Sequence, residues 1–124
     1  MSVHTRSQRL AQAAYAQIAR HTKNGTRKPD KEFVTTVKKF PALIHTCGLA
    51  QAVAFALAKQ DKEYIGYLEA VLKAAGYTAI TEQKTLCEHA RESPLTDYLR
   101  LSRDAIDAAS WLKRYVEAAA GEEE

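Results

Sequence analysis

The chain is poor in cysteine, proline and glycine: two, three and five residues respectively. Two cysteines, Cys47 and Cys87, make no disulfide framework, so both thiols are expected to be reduced, small buried hydrophobes in a cytoplasmic protein. The glycines are isolated, which excludes a Gly-rich loop that cradles a phosphate. The longest apolar stretch, Pro41 to Ala58, is interrupted by His45, Thr46 and Gln51. It reads as a core helix rather than a membrane span. Residues 1–23 lack the continuous apolar stretch of a secretory signal. The histidines, His4, His21, His45 and His89, are scattered. His45 with Cys47, and Cys87 with His89, are each two residues apart, about 200° around a helix, and such pairs do not grip one ion. No Ser/His/Asp or Cys/His pattern has supporting residues. The sequence therefore gives no reason to expect a metal, a cofactor or a catalytic residue.

What the chain has is alanine, charge and helical periodicity. Its 124 residues suit one domain with one core, and 46% of them are hydrophobic. An alanine-rich chain with few turn formers points to an all-α fold. Six helices are expected. The first runs from a cap at Thr5 or Ser7 to about His21, with Leu10, Ala11, Ala14, Tyr15 and Ile18 inward. A loop at Thr22–Pro29 leads to a second helix starting at Asp30, with Phe33, Val34 and Val37 inward. Pro41 is expected to break or kink it. Gly48 opens a third helix, Leu49 to Lys59, apolar on every side but for Gln51 and so expected at the centre of the core. Asp61 caps a fourth, closed by Gly76, and Thr81 caps a short fifth. Ser93-Pro94 starts the sixth, which reaches about Ala119 and spans roughly 39 Å. One of its seams is Leu95, Leu99, Ser102, Ile106, Ala109, Leu112 and Val116; another is Leu101, Ala108, Trp111 and Tyr115. The single domain, residues 1–124, divides into a basic hairpin at 5–40, buried central helices at 41–76, C-terminal helices at 81–119 and a frayed tail at 120–124.

Charge is unevenly spread. Residues 1–40 hold nine Lys/Arg against two acids, and residues 41–124 hold nine against thirteen. The nine are Arg6, Arg9, Arg20, Lys23, Arg27, Lys28, Lys31, Lys38 and Lys39. If the first two helices form an antiparallel hairpin, these cations make one stripe suited to phosphates. Tyr15 and Phe33 are expected to face the core, which leaves contact with a nucleic-acid backbone and no base stacking. Asp104 and Asp107 lie four residues after Arg100 and Arg103 and read as a ladder of solvated ion pairs.

The order Lys39-Phe40-Pro41, Leu43-Ile44, Gly48-Leu49, Gln51 and Ala54-Phe55 resembles the small subunit of the type III-B CRISPR effector, the Cmr complex. Gln8 through Tyr15 resembles that family's first helix, and the likeness extends through residues 1–75. Where the family often has leucine before the proline and a polar residue before the glycine, this chain has Phe40 and Cys47. The resemblance implies a non-enzymatic helical subunit that stacks with copies of itself and with backbone subunits, lining the groove for guide RNA and target RNA in antiviral defence. It also implies structural roles: Pro41 sets a kink, Gly48 admits close packing with Leu49, Gln51 sits in a polar niche, and Phe55 belongs to the apolar segment. The rival reading is a helical adaptor that binds acidic protein partners without RNA.

Overall fold

The computed structural model describes residues 4–81 and 83–121. In these residues six helices follow one another: α1 (Arg6–His21), α2 (Lys31–Cys47), α3 (Leu49–Ala58), α4 (Lys62–Ala74), α5 (Leu86–Glu92) and α6 (Leu95–Ala120). The expected all-helical architecture with a long last helix is met. Of the expected frayed tail, residues 122–124 lie outside the described residues.

Side-chain caps set three of the helix starts. Thr5 accepts from the Gln8 amide while the Gln8 side chain accepts from the Thr5 amide. Asp30 caps α2 by accepting from the Phe33 amide at 2.9 Å. Thr85 and Glu88 form the box that starts α5. That corrects the start expected at Thr81, whose hydroxyl accepts from the Gln83 and Lys84 amides and holds a turn instead. Ser93 is also reassigned: its hydroxyl donates to the His89 carbonyl at 2.6 Å and ends α5, and Pro94 is the cap of α6.

Pro41 does not break α2; residues 42–47 stay helical beyond it. Proline removes the amide that would bond the Val37 carbonyl. Val37, Phe40 and Ile44 are all buried, and packing of that stripe holds the helix through the missing bond.

α6 is the spine of the molecule, with α1, α2, α4 and α5 packed against it. Its buried stripe is Leu101, Ala105, Ala108, Ala109, Leu112 and Val116. The alanines let neighbouring helices come close. α3 lies mainly against α2, α4 and α5 and meets α6 through the Ala50 amide and the Tyr98 hydroxyl. Leu49, Ala52, Val53 and Ala56 are buried, whereas Gln51, Ala54 and Phe55 are exposed. The expectation of a helix buried all round is therefore wrong, and Gln51 faces solvent rather than a polar niche. An alanine-rich helix reads as apolar on every side, yet alanine costs little to expose. Three further expectations fail for want of a neighbour on the relevant face. Tyr15 is 60% exposed, with its ring edge-on to Tyr115; Cys47 is exposed; and Leu95 and Leu99 leave their seam at 72% and 56% exposure.

α1 and α2 do not close into a packed hairpin. Each lies along α6, and they meet at the connecting loop. There the His21 ring, buried, stacks on Phe33 with centroids 4.0 Å apart. His21 Nδ1 sits 3.1 Å from Glu63 Oε2 and 2.9 Å from the Tyr67 hydroxyl, which itself donates to Glu63 at 2.7 Å. The cluster ties the start of the loop to α4. The Tyr67 hydrogen bond, with help from His21 and Arg27 and against the effect of burial, holds the Glu63 carboxyl below its ordinary value of 4.5.

Gly48 joins α2 to α3 with φ +85° and ψ 157°, a conformation open essentially to glycine alone. A Cβ there would stand 3.3 Å from the Tyr98 hydroxyl oxygen, which accepts from the Ala50 amide at 3.2 Å. Gly48→Ala should lower the unfolding free energy by about 1–3 kcal/mol in urea titrations; an unchanged midpoint would show that the junction relaxes freely.

Because the Glu63 carboxyl is lowered in the folded state, its contribution is present above the ordinary glutamate range and is lost as pH falls through the lowered value. The stability gap between wild type and Glu63→Gln should be full at neutral pH and shrink in acid. A gap independent of pH would contradict the linkage.

Candidate nucleic-acid interface

Lys31, Thr35, Lys38 and Lys39 recur at helical spacing along α2 and share one face. With Lys28 and the buried Pro29 of the preceding loop they line an open groove of about 680 Å³ floored by Val34 and Ala120. No acid is among the described residues that line it. From Lys31 to Lys39 the helix rises about 12 Å. Asp30 fixes where α2 begins, and the buried stripe Phe33, Val34, Val37 and Phe40 fixes which face turns outward. Thus the capping residue and the apolar pattern position the lysines.

The other five cations do not join that groove. Lys23 and Arg27 are exposed on the loop, Lys23 with a left-handed φ of 51°. Arg20 donates to Gln17 at 2.6 Å, and Arg9 donates to the His4 carbonyl at 3.0 Å. Arg6 is turned toward α6, where it pairs with Asp104 and, at 3.2 Å, with Asp107. The expected ladder of Arg100 with Asp104 and Arg103 with Asp107 is not formed. Asp104 instead takes Arg6 and the Tyr77 hydroxyl, because α6 is packed between α1 and its other neighbours and its carboxylates meet groups from elsewhere in the chain. Burial, then the bond to Asp104, pushes the Tyr77 phenol up to about 12. The single stripe expected of all nine cations is thus divided. Four lysines share a groove, three cations lie on or beside the loop at its end, and Arg6 and Arg9 belong to the far end of α1.

A second groove adjoins the first. It lies between α2 and α3, encloses about 300 Å³, and shares Thr35 and Lys39 with the lysine groove. Phe40, Ala42, Leu43 and Phe55 make it largely apolar. Lys59 Nζ lies 5.2 Å from the Phe55 ring centroid. Sequence reading assigned Phe55 to the core and passed over Lys59. The signal was present, since the two are four residues apart and share a helix face. Among the described residues, no group of three or more His, Cys, Asp or Glu side chains is placed to hold a metal ion. No helix among them is long and apolar enough to cross a membrane.

Comparison with known proteins agrees with the pattern at residues 39–55. The family model described as CRISPR-associated protein (Cas_Cmr5) matches residues 6–119. The CRISPR system Cmr subunit Cmr5 of Thermus thermophilus is 35% identical over 114 residues, covering 92% of this chain and 95% of that one. The crystal structure of a CRISPR-associated Cmr5 family protein from the same organism matches with a TM-score of 0.76 and 36% identity, covering 94% of this chain and 98% of the other. The fold, the length matched and the identity agree, and the chain belongs to the Cmr5 family of CRISPR-associated proteins.

Proposed function

We propose that this chain is a non-catalytic, cytoplasmic structural subunit of a type III-B CRISPR ribonucleoprotein that acts in antiviral defence. In this reading it lies along guide RNA and target RNA, and stacks with copies of itself and with the other subunits of the complex. The observation that carries the RNA contact is the groove beside Lys28, Lys31 and Lys39, with no acid among the described residues that line it. Lysine ammonium groups recognise phosphate as point charges and read no sequence, which leaves sequence to base pairing. Family membership supports the place in the complex, since the Thermus relative is a Cmr subunit. Leu95 and Leu99, exposed and one turn apart at the start of α6, give that end an apolar face suited to a protein neighbour.

One copy offers few phosphate contacts, so its own affinity is low and strongly salt-dependent, and repetition along one RNA raises it. Replacing Lys28, Lys31 and Lys39 together with glutamine should weaken binding equally across RNA sequences. It should also make the slope of log affinity against log salt shallower by about 2–3. A loss confined to one sequence would contradict backbone contact. Preferential capture of an acidic protein, with no RNA bound at low salt, would favour the adaptor reading.

A further inference from the structure

Phe55 is the large apolar residue of the Pro41–Phe55 segment whose role packing does not explain. Leu49 is fully buried and Gly48 answers a backbone need, but Phe55 is 54% exposed. A single exposed ring is unremarkable by itself. This one stands at an apolar slot of about 300 Å³ that opens beside the lysine groove. Lys59 reaches over its ring, and Lys39 belongs to both the slot and the lysine groove. Thr35, Thr36 and Thr46 supply hydroxyls along the slot. Asp61, the acid in its lining, accepts from the Thr36 hydroxyl at 3.0 Å.

These features select an occupant. It has to be apolar enough to lie on a phenyl ring, small enough for about 300 Å³, and attached to negative charge that continues into the lysine groove. An unpaired nucleotide meets all three conditions. Every base has a π-face, and its phosphates lie to either side. We propose that the slot between α2 and α3 receives an unpaired nucleobase of an RNA strand whose backbone runs along Lys31 and Lys39. The base stacks on Phe55, Lys59 neutralises the next phosphate, and the threonine hydroxyls meet the base edge. The slot thereby distinguishes strands with free bases from a continuous A-form duplex, whose bases stay stacked inside the helix. This inference rests on the RNA reading of the lysine groove, and it replaces the expectation of contact without base stacking.

The test measures binding of the full chain to a twelve-nucleotide single strand carrying one 2-aminopurine, and to a duplex RNA of equal length, at several salt concentrations. Phe55 is exposed, so Phe55→Ala should fold, and its melting curve verifies that. The expected result is about tenfold weaker single-strand binding for Phe55→Ala. The salt slope and duplex affinity should stay unchanged, and the quenching of 2-aminopurine on binding should be lost. Phe55→Trp should restore both affinity and quenching; Phe55→Leu should restore neither. Wild-type affinity in Phe55→Ala or in Phe55→Leu, with salt-dependent binding intact, would overturn the base slot while leaving the lysine groove standing. Failure of the wild type to bind either RNA at low salt would overturn both.

Discussion

The fold depends on burying one face of α6. That helix is 26 residues long, and four of the other five helices lean on it. Its buried stripe has leucine toward the start, alanines 105, 108 and 109 in the middle, and Leu112 and Val116 beyond. A stripe that is thin in the middle lets α1 and α2 lie close along the same helix, and this keeps them from packing on each other. The division of the cations follows. α1 carries its arginines to one side of the spine, where Asp104 and Asp107 take Arg6. α2 carries its lysines to a groove beside the C-terminal end of α6, where Ala120 is part of the floor.

Much of this was legible from residue order. Helix number, the cap at Asp30, the glycine after α4 and the inward stripe of α2 follow from local rules that the tertiary structure respects. So did the resemblance at residues 39–55, because it depends on order and spacing. Failures arose where burial depends on what a neighbour covers. α3 looks core-like from composition, yet alanine is neutral to exposure, and only the Leu49, Ala52, Val53 and Ala56 face meets other helices. Pro41 carries a strong local penalty that the buried stripe around it outweighs. Ser93 and Thr81 are good caps in isolation, but Ser93 donates back to the His89 carbonyl and Thr81 holds the Gln83 and Lys84 amides in a turn, while the reciprocal pair of Thr85 and Glu88 starts α5.

The same distinction governs the candidate interface. A count of cations over residues 1–40 detects an excess of positive charge but not its geometry. Helical spacing along α2 places Lys31, Lys38 and Lys39 together, whereas the fate of Arg6 depends on residues about a hundred positions away. Phe55 was hidden for the opposite reason. An aromatic in an apolar run is usually core, and only the outward placement of α3 brings it beside Lys59 and Lys39.

The central claim is that the α2 lysine groove and the slot beside it face RNA in the assembled complex. Ultraviolet crosslinking of the native ribonucleoprotein, followed by mass spectrometry of the modified peptides of this chain, tests it most directly. The account predicts crosslinks concentrated in residues 28–39 and at Phe55, with the α6 face around Arg103 and Arg114 unmarked. Crosslinks confined to that α6 face, with residues 28–39 unmodified, would contradict it.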